Sequence, residues 1–192
     1  PALVPAMARK WKQINRFVEI LSSAVEEAQL AGPVRVADFG SGKGYLTFAV
    51  HDWLQARGLA PRVTGIELRD DMVKLCNAVI EGEQLSGIRF DQGDVRTQAV
   101  QPLDVMIALH ACDTATDDAI AWAVNRDVPP TLFAPCCHHD IQAQMKVAPE
   151  PWTLISRHGI MRERLGDLIT DSLRIQLMKL RGYRVEAIEF VG

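Results

Sequence analysis

Two short stretches concentrate the chain's reactive side chains. They are "HACDTATDD", residues 110–118, and "APCCHHD", residues 134–140. Between them they hold three of the four cysteines and three of the five histidines. His110, Cys112 and Asp113 belong to the first, and Cys136, Cys137, His138 and His139 to the second. Several chemistries suit such a set. A histidine titrates near neutrality and can take a proton from a hydroxyl or ring nitrogen. A cysteine can attack an electrophilic ring carbon. Cysteine and histidine are also zinc's usual ligands. However, no Cys-x-x-Cys pair is present, adjacent side chains such as Cys136 and Cys137 rarely both reach one ion, and no metal site is assigned. Cys112 and Cys136 as small buried packing residues is the remaining alternative.

Whether the two stretches meet depends on the elements that carry them. Trp11, Ile14, Phe17, Val18, Leu21 and Val25 recur at helical spacing and predict a first helix ending near Gly32-Pro33. Apolar runs then alternate with helical patterns. "VRVADFG", "RVTGIEL", "IRFDQGDV", "LDVMIALH" and "TLFAPCC" read as strands. "YLTFAVHDWLQARG", "DDMVKLCNAVIEGEQL" and "TATDDAIAWAVNR" read as helices. This alternation predicts an α/β fold with a parallel sheet and helices on both faces. A long helix follows over "MRERLGDLITDSLRIQLMKLRGY", then a sixth strand, "RVEAIEFV". On that helix Asp167, Asp171 and Arg174 share one face, either as an ion pair tying the helix to the sheet edge or as a substrate-recognition set. One domain is expected, with an N-terminal helix over 1–32, a core over 33–146 and a C-terminal helix and last strand over 147–192.

The loop "DFGSGKG", residues 38–44, follows the first strand and opens a helix. Glycines at 40, 42 and 44 let the backbone turn sharply and approach a ligand closely. A P-loop is excluded, because Gly44 rather than Ser or Thr follows Lys43. A dinucleotide fingerprint needs glycine at position 45, which is Tyr. Acid-x-Gly-x-Gly-x-Gly remains. Two further acids end the next strands, Glu67 in "GIEL" and Asp94 in "QGDV". A carboxylate at the second strand's end can accept both hydroxyls of a ribose.

These motifs resemble those of class I S-adenosylmethionine-dependent methyltransferases. "DFGSGKGYLTFA", "ALHACDTATDDAI" and "APCCHHDI" together resemble the methyltransferase-like branch with Leu-His-Ala-Cys after strand four and Pro-Cys-Cys after strand five. Relatives in that branch include a tRNA 2′-O-methyltransferase and the glutathione S-transferase C-terminal domain-containing protein. The resemblance implies a Rossmann-like sheet of order 3-2-1-4-5-7-6, whose seventh strand lies beyond Gly192. It implies S-adenosyl-L-methionine held by Asp38, Phe39, Gly40, Ser41, Gly42, Gly44, Tyr45, Glu67, Leu68, Asp94, Val95 and Leu109. Asp38 would face the methionine end, Glu67 the ribose and Asp94 the adenine. Strands four and five are then neighbours, so His110, Cys112, Asp113, Cys136, Cys137, His138 and His139 converge beside the transferable methyl group. At least one of His138 and His139 should point into that pocket. RNA cytosine-5 methyltransferases place cysteines after the same strands, but there Pro precedes the first, whereas Ala111 precedes Cys112.

Composition sets the remaining expectations. The net charge is −3, yet Arg9, Lys10, Lys12 and Arg16 cluster at the start, and seven basic residues lie between Arg157 and Arg184. Basic edges of this kind suit an RNA acceptor, or are merely solvated helix faces. No apolar run approaches the ~20 residues of a membrane span, so no membrane partner is expected. No secretory leader is visible, and four cysteines, two of them adjacent, do not resemble a disulfide framework. A cytoplasmic location is expected. Pro1 with no preceding Met suggests a trimmed chain or a fragment.

Overall fold

The computed structural model describes residues 5–97, 102–109, 111–128, 130–135, 138–145 and 148–189. His110, Cys136 and Cys137 therefore lie outside the described residues.

Helix α1 (Pro5–Glu27) leads into β1 (Pro33–Phe39), α2 (Tyr45–Ala56), β2 (Ala60–Glu67), α3 (Asp70–Gly82) and β3 (Ile88–Gln92). Then come β4 (Val105–Ala108), α4 (Thr114–Val124), β5 (Thr131–Phe133), α5 (His139–Gln144), α6 (Thr153–Ser156) and α7 (Gly159–Leu180). The strands form one sheet in the order β3-β2-β1-β4-β5, and every pairing is parallel. This is the predicted α/β arrangement.

Alternation along the strands divides the core into two layers. Val34 and Val36 of β1 and Val105 and Ile107 of β4 face one side. There they meet Ile14, Phe17 and Leu21 of α1, Leu46, Val50 and Leu54 of α2, and Val73 of α3. The intervening residues Ala37, Phe39, Met106 and Ala108 face the other side, against Ala119, Trp122 and Ala123 of α4. Each side chain of this size stabilises the fold by roughly 1.5–3 kcal/mol when fully buried. The period of two therefore locks the register of the sheet.

The chain runs outward from β1 through β2 to β3, then returns to β4 on β1's other side. The crevice beyond the ends of β1 and β4 is thus the topological switch point, where open α/β sheets bind ligands.

The sixth strand expected over residues 184–191 is not present among the described residues, because 183–189 is irregular. In the expected order that strand pairs with a seventh, and no such neighbour stands among the described residues; a strand without a ladder partner leaves its backbone groups unpaired. The segment is pinned instead by side chains. The Tyr183 hydroxyl donates to the carbonyl of Val128 at 3.1 Å, and Arg184 pairs with Glu27 of α1.

Candidate active site

The glycine loop is held down by the strand beside it. The N–H groups of Gly40 and Ser41 both donate to the Ile66 carbonyl, at 2.9 and 3.1 Å, and Gly44 N–H donates to Ser41 at 2.9 Å. Two glycines are required for different reasons. Gly44 (φ +72) precedes α2, and a Cβ there would lie 2.6 Å from the ring of Phe90. Gly42 (φ +56) has room for a Cβ, which would meet Arg69 Nη2 at 3.8 Å in ordinary van der Waals contact. Gly44 thus serves packing, and Gly42 leaves room above the loop.

The three strand-end acids differ in state. Asp38 is buried beneath the loop and accepts a hydrogen bond from Thr47 Oγ1 of α2 at 2.6 Å. Burial pushes its carboxyl up to about 7, against the pull of Thr47 and of Lys10 on α1. Glu67, also buried, accepts Gly42 N–H at Oε2 (2.8 Å), and Arg69 N–H and Nε–H at Oε1 (3.1 and 3.0 Å). Burial alone would raise its pKa, but the Arg69 and Gly42 hydrogen bonds outweigh burial and hold it below the usual range. Asp94 pairs with Arg96, which holds its carboxyl down at about 2.

Around these acids, Tyr45 and Leu68 are exposed, Leu109 is buried, and Val95 packs on the α4 side of the sheet. Ser41 Oγ is buried without a hydrogen-bond partner. An open Gly42, an orphaned hydroxyl beside it and a buried carboxylate at the end of β2 fit an adenosine-bearing cofactor. An apolar surface at Leu68 would suit its base.

The loops after β4 and β5 do meet. Ala108 is in register with Phe133, and Asp113 Oδ1 accepts the backbone N–H groups of His139 (3.0 Å) and Asp140 (3.2 Å). Asp113 makes this bridge from a left-handed backbone conformation, φ 52 and ψ −128. Cys112 and His139 are exposed. His138 is buried, and its ring faces α7, with Nε2 2.9 Å from Asp171 and Nδ1 3.4 Å from Asp167.

A family of proteins described as "Methyltransferase domain" matches residues 9–144. The chain belongs to this family. No curated protein matches it by sequence. Solved structures that it resembles include the cyclase SpnF (23% identity, TM-score 0.43, 58% of this chain and 40% of that one). They also include a mutant of MtNAS in complex with S-adenosylmethionine (19%, TM-score 0.44, 58% and 42%). A third is a SAM-dependent methyltransferase from Thiobacillus denitrificans in complex with S-adenosyl-L-homocysteine (24%, TM-score 0.36, 48% and 35%). The chain spans about two-fifths of the length of these structures.

In this methyltransferase domain Arg174 ties α7 to α4 and to the loop after β4. It is buried on α7. Its Nε and Nη2 bond both oxygens of Asp117 on α4 (2.7 and 2.9 Å), Nη1 bonds Asp171 (3.2 Å) and Nη2 also bonds the Asp113 carbonyl (3.0 Å). Burial opposes the charge, but Asp117 and Asp171 outweigh it and raise its pKa. The shared face of Asp167, Asp171 and Arg174 is thus used for tying, but to α4 and His138 rather than to the sheet edge. Asp117 was not singled out by its sequence, because its partner lies 57 positions away. A groove of about 1130 Å³ lies beyond β5, between α1, α7 and residues 182–188. It reaches Thr116, Asp171 and Arg174 but not the glycine loop, so it is separate from the cofactor crevice. No helix among the described residues is long and apolar enough to cross a membrane.

Proposed function

We propose that the domain transfers a methyl group from S-adenosyl-L-methionine to RNA. The observation that carries the cofactor is the placement of Gly42 after β1 and Glu67 at the end of β2, beside the switch point and bonded to each other. When bound, the cofactor supplies an electrophilic methyl group on sulfur. The chain's share is mainly positioning, which converts a bimolecular displacement into an in-line unimolecular one. Gly42 admits the ligand's close approach, Glu67 accepts the ribose hydroxyls, and Leu68 offers a surface to the base. His139, exposed at the end of the β5 loop, is open to an acceptor, and Asp113 fixes its backbone.

The RNA acceptor is supported by exposed basic residues on α1 (Arg9, Lys12, Arg16) and near α7 (Arg157, Arg164, Lys179, Arg181). It is also supported by the resemblance to the Leu-His-Ala-Cys and Pro-Cys-Cys branch. The test is calorimetric titration with S-adenosyl-L-homocysteine, followed by incubation of labelled methyl donor with total RNA and with protein extract. Label in RNA supports the proposal; label in protein alone refutes the acceptor.

His138 favours a second reading, a cofactor-binding regulatory or scaffold domain without turnover. Its ring is committed to Asp167 and Asp171, so it holds loops together instead of reaching for a proton. Tight binding with no label transferred to either pool would establish that reading.

A further inference from the structure

We infer that Arg69 gates the ribose subsite, occupying in the free protein the carboxylate positions that a vicinal diol must take. The inference rests on the cofactor reading above and names how that site is controlled.

Counting acceptor positions carries the argument. A carboxylate offers about four lone-pair sites. In Glu67 three are filled: Gly42 N–H at Oε2, and Arg69 N–H and Nε–H at Oε1. A ribose brings two hydroxyl donors, so one existing donor must leave. Two of the three belong to the backbone and are fixed. Gly42 N–H is set by a loop tied to Ile66. Arg69 N–H is set by the turn into α3, whose Leu68 carbonyl is bonded by Gln92 Nε2 at 3.0 Å. The Arg69 side chain is the remaining donor, and it is 61% exposed. It can therefore swing into water, whereas neither backbone group can. Its Nη2 is also the nearest side-chain atom to an ideal Cβ on Gly42, at 3.8 Å, so the guanidinium lies against that glycine. Swinging out frees the carboxylate position that the second hydroxyl needs.

Arg69 therefore competes with the ligand, and removing it should tighten binding. Only the Arg69 end of the pair lies in solvent, where holding a long side chain in one geometry offsets much of the attraction, so Arg69→Met should bind S-adenosyl-L-homocysteine about two- to fivefold more tightly than wild type. The gain should be confined to ligands with a diol. 5′-Methylthioadenosine should gain likewise, and its 2′,3′-dideoxy counterpart should not. Salt screens the solvent-facing guanidinium, so raising ionic strength should modestly improve wild-type affinity while leaving Arg69→Met unchanged. Calorimetric titration of both proteins, with thermal denaturation to verify folding and Arg69→Ala as the second variant, reads all of this. Wild-type binding with equal or weaker affinity in both variants would overturn the gate and leave the cofactor reading standing. Equal gains for diol and dideoxy ligands would overturn it too. Absence of binding by every protein would overturn the cofactor reading, and the gate with it.

Discussion

Asp113 and His139 are 26 positions apart in the chain, yet the Asp113 carboxylate accepts the His139 backbone N–H at 3.0 Å. One side chain thereby joins the loop after β4 to the loop after β5. The contact costs strain, because Asp113 adopts φ 52, where a Cβ is unfavourable. A strained residue persists when its surroundings demand it. Here the demand comes from two backbone donors of α5 in front and the Arg174 guanidinium on its carbonyl behind.

That relationship separates two variants. Asp113→Ala and Asp113→Gly both delete the bridge, but only glycine relieves the backbone. Asp113→Ala should destabilise by about 2 kcal/mol, the scale of lost charge-assisted hydrogen bonds. Asp113→Gly should recover about 1 kcal/mol of that. Chemical denaturation measures both. Equal losses would mean that the positive φ carries no strain.

Arg174 predicts a larger effect. It is buried, with its guanidinium split between Asp117, Asp171 and a carbonyl. Arg174→Met should destabilise by about 1–3 kcal/mol, since it removes the buried fork and releases α7 from α4, while the half-exposed Asp117 and Asp171 keep water and Asp171 keeps His138. Arg174→Lys should recover little, because an ammonium cannot reproduce the planar fork. If lysine restored full stability in urea melts, the fork geometry would be irrelevant.

The glycine loop supplies a matched pair of tests. Gly42→Val adds side-chain volume where the nearest neighbour to a Cβ is 3.8 Å away, so it should abolish S-adenosyl-L-homocysteine binding. The left-handed φ makes it lose only about 1–2 kcal/mol of stability. Gly44→Ala drives a Cβ to 2.6 Å from Phe90, so its main effect should be on stability, by more than about 2 kcal/mol. Denaturation and calorimetry on both proteins should show opposite rankings. Identical rankings would show that the two glycines share one role.

The legible parts of this protein were those fixed by short-range pattern. The strand-end acids, the glycine triplet and the alternation that sorts Val36 from Ala37 follow from local spacing, the parallel sheet follows from the strand-helix alternation, and its order was implied by the resemblance to class I methyltransferases. What sequence did not show is where side chains turn once elements meet. Spacing gave no sign that the His138 ring meets two carboxylates on α7. Nor did it show that the Asp38 carboxylate accepts the Thr47 hydroxyl of α2. The hold of Arg69 on Glu67 depends on a rotamer, which spacing does not encode. Residues 184–191 carry a strand's alternation, but a strand also needs a neighbour, and that is a tertiary condition.

Asp38 gives the last prediction, in pH dependence. Burial places its carboxyl at about 7 in the folded protein, against 3.8 for the ordinary side chain. Between those values the folded state holds a proton that the unfolded chain has lost. Folding is therefore favoured by acid across this window, and stability falls as pH rises from about 4 to 7. Below the window both states are protonated, and above it both are ionised, so the slope vanishes on either side. The loss is a few kcal/mol in order of magnitude, since each pKa unit corresponds to about 1.4 kcal/mol. Asp94 and Glu67 act in the opposite sense, because their partners depress their folded values, but they act mainly below about pH 4.5. Asp38→Asn keeps the shape and an acceptor for Thr47 while removing the titration. Its stability should be flat from pH 4.5 to about 7 where the wild type declines, and it should exceed wild type at pH 8. The measurement is denaturant unfolding of both proteins at half-unit pH steps. Parallel curves would place the Asp38 carboxyl in its ordinary ionised state and remove burial as the controlling influence on it.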